Sequence, residues 1–565
     1  MSRLAASVGL AEDEGVAPHF SPMHDVTDGG VLLALPALLA VGLLRDTERH
    51  FSLPRGYYGL VSIFMLLGFM ALCRVKAMEG LRYKAPGEWG KLLGLDRVPE
   101  VRTLREKVRM LAESGQPIPW SAALCRDWLA EFPLQAQVCY VDGHVRVYHG
   151  EQADLPRHYV SRQRLCLRAS VDYWVNAMDG QPFFVVHQAV DPGLVKVVET
   201  EILPRLAQDI PDQPSAEKLE ANPLLHRFTV VFDREGYSPH LMLKMRQLRI
   251  ACVTYRKKPG DDWSQEEFAS YQVKLVGGEV TTMLLAERGV HLGGVVWVRE
   301  FRRLTDTGHQ TSIVTTDYLN EMSQLASTMF ARWCQENFFA YMRQHYGLDK
   351  LVTYDMEKVP DTTQVVNPEY RRLDGDIRKK SSRLNRVSAH FGNLGLEGEI
   401  DPGRVETYER KKGALQEEVE HLRGEIVALK AERKKVKRHI TFGELPEEAR
   451  FERLAINSKH MIDTIKMVAY RAETAMAHTL KEKMSRQDDA RTLLRSIYTT
   501  EADLLPDENK KTLTVRLHNM ASRIHDAAVM HLCDELNATE TVYPGTDLRL
   551  VYELVSSGIP RDQEF

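Results

Sequence analysis

The sequence predicts a mixed α/β core with a β-rich insertion, preceded by an α-helical region and followed by a long helical, coiled-coil region. Three observations predict it. Residues 135–233 read first as a meander of strands and then as strands alternating with helices, the pattern of a mixed sheet. A second β-rich stretch at 249–316 runs up to one long helix at 321–346. From about residue 367 the composition turns charged and a heptad seam appears.

With 565 residues the chain exceeds one core, and at roughly 150 residues per domain about three or four units are expected. Charged residues make up 27% and the formal net charge is −4, so any nucleic-acid surface must be local. Cys73, Cys125, Cys139, Cys166, Cys252, Cys334 and Cys533 never form a C-x-x-C pair. They fit reduced, buried thiols of a cytosolic protein and argue against a zinc site or a disulfide framework.

Residues 1–28 are polar and acidic, and are expected to form a flexible arm without a secretory signal. Residues 29–134 read as a helical, DNA-binding domain. Its apolar runs at 31–44 and 57–73 fall short of the ~20 residues a membrane span needs, and the first contains Pro36, so buried helices and no membrane contact are expected. Helices near 86–95 and 100–113 flank a turn, the second carrying Arg102, Arg105, Lys107 and Arg109. That fits either a helix-turn-helix on DNA or a bundle with a solvated basic face.

The core spans 135–350. Residues 135–150 read as two strands joined by a tight Asp142-Gly143 turn. Strands follow at 162–177 and 181–189, then a helix near 193–208, then the apolar run 227–233, suited to a strand buried on both faces. The stretch 249–316 reads as an all-β insertion. On the helix 321–346, Leu325, Met329, Trp333, Phe339 and Met342 recur at helical spacing and predict a packed face. Arg332, Glu336 and Arg343 interrupt it at spacings of four and seven, which project them together. The set suits a metal and a phosphate, or a simple salt bridge on a solvated face.

In 351–540, Tyr408, Leu415, Val419, Leu422, Ile426, Leu429, Val436 and Ile440 form the heptad seam, broken at Arg433. It calls for a partner helix, in cis as a hairpin or in trans as a dimer. The basic run 430–439 fits a solvated face or DNA phosphates. Residues 447–537 read as further amphipathic helix, and 541–565 as a polar tail.

Asp142, Asp233 and Glu336 fall at two strand ends and on the helix after the insertion. Three carboxylates held together repel, unless divalent cations neutralise them. Hard oxygen ligands suit Mg²⁺ or Mn²⁺, and a pair of ions about 3.5–4 Å apart activates a nucleophile and stabilises a leaving oxygen. Arg332, with Arg343, suits bidentate hold on a phosphate.

The stretches YVDGH at 140–144, VVFDREGY at 230–237, SIVTTD at 312–317 and RWCQENFFAYMRQHYG at 332–347 carry a resemblance. The chain resembles the DDE transposases of bacterial insertion sequences, in the group with a β-rich insertion in a ribonuclease-H-like catalytic core and a Tyr-x2-Arg-x3-Glu-x6-Lys signature. Arg332 and Glu336 match the signature, whereas Met329 stands at its tyrosine and Arg343 at its lysine. The resemblance covers 135–350 best. It implies metal-dependent cleavage at transposon ends and strand transfer into target DNA, with Asp142, Asp233 and Glu336 as metal ligands for two Mg²⁺ ions and Arg332 and Arg343 on DNA. It implies partners too: terminal inverted repeats, target DNA and a second copy of the chain on DNA, in the cytoplasm at the nucleoid. Arg162 and Arg164, with Arg157, His158 and Arg168, form a candidate phosphate-tracking surface or a solvated strand edge. Glu235, Asp317, His144 and His149 are expected to be structural. A structure-selective nuclease of the same fold and a domesticated, non-catalytic DNA-binding protein are the competing readings.

Overall fold

The computed structural model describes residues 15–148, 150, 155–160, 163–188, 190–350, 356–394, 405–484 and 487–555. The first strand, β1 (Met23–Val26), lies inside the stretch expected to be a loose arm. The central sheet is built from β2 (Val138–Val147), β3 (Arg157–Val160), β4 (Leu165–Asn176), β5 (Pro182–Gln188), β6 (Thr229–Phe232) and β7 (Ala251–Tyr255). It continues through β8 (Ala269–Lys274), β9 (Val280–Leu292), β10 (Val296–Leu304) and β11 (Gln310–Thr315).

Strands β5, β4 and β2 pair antiparallel, and β6 and β7 then add parallel to β2. Strand β6, Thr-Val-Val-Phe, is buried at every position, as its uninterrupted apolar sequence requires between two neighbours and two covered faces. The insertion does not stand apart: β11 pairs antiparallel with β7, and β10, β9 and β8 extend the same sheet to ten strands. The core strand β7 accounts for the first part of the stretch 249–316.

The expected hairpin at Asp142-Gly143 is absent, and β2 runs straight through both residues. A type I′ turn needs positive φ at both central residues, and neither Asp142 nor Gly143 has one. Gly143 instead sits opposite Tyr173 in register, where an added Cβ would lie 3.1 Å from the Tyr173 ring. Glycine serves close cross-strand approach here, which local sequence cannot distinguish from a turn signal.

The long helix divides into Met322–Phe330 and Arg332–Tyr341 and ends in a π-helical turn, Met342–Tyr346. Leu325, Met329, Phe339 and Met342 are buried as expected, but Trp333 is 55% exposed.

Past the core, β12 (Met356–Lys358) and β13 (Gln364–Val366) lead into a helix, Pro368–Asn393. The heptad helix Val405–Lys435 packs back along it as a hairpin in cis, burying Leu373 and Ile377 with Leu422 and Ile426. The base is closed by β14 (His439–Thr441) on β13 and by β15 (Glu452–Leu454) on β12.

The region read as amphipathic helix departs most from expectation. Helix Ile456–Lys481 is buried along nearly its whole length. It packs against helices Leu60–Leu72, Val101–Ser114 and Pro117–Glu131 and against β5. A single apolar cluster therefore contains Phe64, Trp120, Phe184 and Val468, so the N-terminal helices and the C-terminal region share a core with the sheet. Beyond this helix, β16 (Ala502–Asp507), β17 (Thr512–Leu517) and β18 (Arg549–Leu554) form a four-stranded sheet with β1. Residues 549–554, expected to be tail, are thus a paired strand. Among the described residues no helix is long and apolar enough to cross a membrane.

Candidate active site

Adjacent parallel strands deliver the two aspartates. Val141 of β2 pairs with Phe232 of β6, so the next residues along, Asp142 and Asp233, stand side by side. Asp142 Oδ1 accepts its neighbour Gly143 N–H at 2.8 Å, and Asp233 Oδ1 accepts Arg234 N–H at 2.6 Å. The third carboxylate comes from the helix laid across β2. Buried Gln335 fixes that helix, its Nε2 donating to Asn176 Oδ1 at 2.9 Å and to the Tyr140 and Trp174 carbonyls at 3.2 and 3.3 Å. Tyr140 adds a bond from its hydroxyl to Thr328 O at 2.7 Å.

Arg332 lies among all three acids. Its Nη2 donates to Glu336 Oε1 at 2.6 Å and is 3.9 Å from Asp233 Oδ2, while Nη1 is 3.5 Å from Asp142 Oδ2. Burial pushes the Asp142 carboxyl up to about 6, opposed by Arg332 and assisted by Asp233. Burial, followed by Asp191 and Asp233, also raises Glu235. One guanidinium offsets one of three negative charges, and the remainder is an oxygen-only donor set suited to a hard divalent cation.

Arg343 is not brought to this cluster. Its Nε donates to Phe339 O at 3.2 Å, and its charge helps hold Asp349 ionised together with His144. The seven-residue spacing aligns it with Glu336 but separates them by about 10 Å along the axis. Arg164 lies exposed between β3 and β4, with φ 53°. Arg162 and His149 lie outside the described residues. Buried His144 bonds Asp349 at 2.7 Å, and buried Asp317 accepts the Leu319 and Asn320 N–H groups at 3.0 Å each. Sequence reasoning missed Gln335 and also Asp191, which accepts the Tyr173 hydroxyl at 2.6 Å. A polar amide inside an apolar helical face was the available signal for Gln335.

Two further His/carboxylate groups occur among the described residues: Asp172, His187 and Asp463, and Asp25, Asp503 and His518. In the first, Lys459 already supplies the cation, 3.0 Å from Asp172 and ion-paired to Asp463. In the second, Asp503 Oδ1 takes the Asp25 N–H at 3.0 Å and lies 3.3 Å from His518 Nε2.

The family described as "Transposase protein" matches residues 2–556. The chain belongs to this transposase family. No curated protein matches the transposase. A cryo-EM structure of a piggyBac transposase synaptic complex with hairpin DNA is similar at 9% identity and a TM-score of 0.28, covering 86% of the transposase and 84% of that chain.

Proposed function

We propose that this transposase acts through a DDE site, cleaving DNA at the ends of a mobile element and transferring the freed strand into target DNA. The observation that carries the reading is the convergence of Asp142, Asp233 and Glu336, from two neighbouring strands and a crossing helix, on the Arg332 guanidinium. Membership of the transposase family supports it. So does the strand order, three antiparallel strands followed by two parallel ones, as expected of a ribonuclease-H-like core.

Asp142, Asp233 and Glu336 would hold the divalent cations, Mg²⁺ or Mn²⁺, whose bound state supplies an activated nucleophile and a stabilised leaving oxygen. Arg332 is the group within the site able to take a DNA phosphate bidentately once a cation replaces it among the acids. Gln335 holds the helix, and therefore Glu336, against β2. Glu235, on the turn after Asp233, stays at the rim as a structural acid. Synapsis of two ends calls for two copies of the chain. Because the heptad seam is spent on the intramolecular hairpin, such a dimer needs another surface.

The test is excision of a marker flanked by the DNA that borders this gene, comparing wild type with Glu336→Gln at matched expression. Excision by the wild type alone supports the assignment. Equal activity overturns the role of Glu336, and activity in neither variant favours a non-catalytic DNA-binding protein.

A further inference from the structure

The helical hairpin at 368–435 plays no part in the carboxylate site, yet it concentrates charge that the rest of the chain lacks. Helix Pro368–Asn393 and the run 430–439 together hold thirteen Lys and Arg against four Asp and Glu, in a chain whose formal net charge is −4.

Part of this charge is spent on joining the two helices. Lys380 pairs with Glu425 at 2.7 Å, Arg383 with Glu418 at 2.6 Å, and Arg433 with Asp374. Arg378 pairs within its own helix, with Asp374 at 2.8 Å. These partners absorb the seam-facing cations. Arg371, Lys379, Lys434, Lys435, Lys437 and Arg438 are exposed and have no ion-pair partner among the described residues. A solvated face built only for solubility mixes both signs; here the exposed acids Glu406, Glu409, Glu417 and Glu420 lie toward the start of the heptad helix, whereas the run 430–439 at the base carries six Lys and Arg against the single acid Glu432.

The arm is also rooted beside the site. Val359, Val365, Phe442 and Leu445 form a small core at its base, and Val190 packs against it. The next residue, Asp191, bonds Tyr173 and lies 3.7 Å from His158. Tyr173 in turn stands opposite Gly143, the neighbour of Asp142, so packed and bonded neighbours run from the small core at the base of the arm to the carboxylate cluster. A helix of 26 residues is about 39 Å long, enough to follow roughly one turn of duplex.

We propose that the basal half of this hairpin and the segment leading out of it, through Arg371, Lys379, Lys434, Lys435, Lys437 and Arg438, grip the phosphates of double-stranded DNA leading to the carboxylate site. The surface presents flexible point charges rather than a groove-reading element, so it positions DNA without selecting sequence. This inference rests on the DNA-transposition reading above.

The full-length protein and the variant Lys434→Ala/Lys435→Ala/Lys437→Ala/Arg438→Ala are titrated with a fluorescein-labelled 30-base-pair duplex at several NaCl concentrations, with and without polyglutamate competitor. Circular dichroism checks that both fold alike. Each phosphate contact contributes about 0.9 to the slope of log affinity against log salt, so the variant is expected to lose a slope of roughly 2–4 and bind at least tenfold more weakly at low salt. The loss should be equal on random and element-end sequences. A folded variant with wild-type affinity and slope overturns the proposal, as does a variant that loses only polyglutamate binding, which would assign the arm to an acidic protein. Absence of duplex binding by the wild type sinks the transposition reading itself. Normal wild-type binding with inactive Glu336→Gln and an unchanged arm variant sinks the arm alone.

Discussion

Arg74 Nη2 donates to Glu473 Oε1 at 2.7 Å, joining a helix end near the N-terminus to the centre of helix Ile456–Lys481. Glu473 is fully buried and also accepts the Tyr341 hydroxyl at 2.5 Å and the Tyr346 hydroxyl, with Arg491 at 3.9 Å. Tyr341 and Tyr346 follow Glu336 on the site helix and its π-helical turn, so one carboxylate ties three parts of the chain together. Removing one member of a buried ionic set leaves the others uncompensated, at about 3–5 kcal/mol. Glu473→Ala is expected to lose that much in urea unfolding. Glu113→Ala, which breaks an exposed pair with Arg109, should lose less than about 1 kcal/mol.

Asp142 makes cation binding depend on pH. Its carboxyl, pushed up to about 6, is largely ionised at pH 7.5 and protonated below 6, where a proton competes with the metal. Mn²⁺ affinity measured by calorimetry should fall about tenfold per unit below pH 6. In Asp142→Asn it should be weak throughout, without that dependence.

For the metal-free protein the sign is opposite. A carboxyl with a folded value above its ordinary 3.8 contributes stability that is present below 3.8 and lost as pH rises through 6. At pH 7.5 the Asp142→Asn protein should therefore be more stable than wild type by about 1–3 kcal/mol. At pH 3.5 thermal melts should find the two alike.

If Asp142, Asp233 and Glu336 hold cations as proposed, Arg332 competes with them for the same oxygens, and its removal should change the response to metal. Arg332→Ala leaves three uncompensated carboxylates and should melt lower than wild type at low ionic strength. Saturating Mn²⁺ should raise its melting temperature more than it raises that of the wild type. Equal shifts would mean that metal and guanidinium do not compete for the same oxygens.

Gly143 offers a packing test. Its added Cβ would meet a Tyr173 ring whose hydroxyl is held by Asp191, so the ring has little room to move. Gly143→Val should lose about 1–3 kcal/mol and, by shifting Asp142, weaken Mn²⁺ binding as well.

The site was more legible in the sequence than the architecture around it. Asp233 stands at the end of an apolar strand and Glu336 within an Arg-x3-Glu pair, signals that survive without tertiary knowledge, whereas Asp142 lies in the middle of β2 and not at the strand end that its Asp-Gly pair predicts. Arg343 shares helical phase with Glu336, but phase carries no axial distance, and Arg343 stands apart from the carboxylates. Helix Ile456–Lys481 misled for another reason: Lys459, Asp463, Lys466, Arg471 and Glu473 resemble a solvated face, yet all are buried. Several of these charges are met by groups from distant parts of the chain, Glu473 by Arg74, Lys459 by Asp172 and Arg471 by the Pro182 carbonyl, which no local pattern announces. Strands β16 and β17, six residues each, were hidden because short alternating runs also suit helix ends.

Burial of helix Ile456–Lys481 against helix Leu60–Leu72 sets an order on synthesis. The early apolar helix leaves the ribosome nearly four hundred residues before its cover exists. At about 5–20 residues per second, that leaves it uncovered for roughly 20–80 s, open to chaperones or to aggregation. A message broken before codon 456 would yield a chain that keeps every residue of the carboxylate cluster and still lacks the helix that covers its core. Loss of the 3′ end of the gene would thus silence the protein by misfolding while all three carboxylates remained.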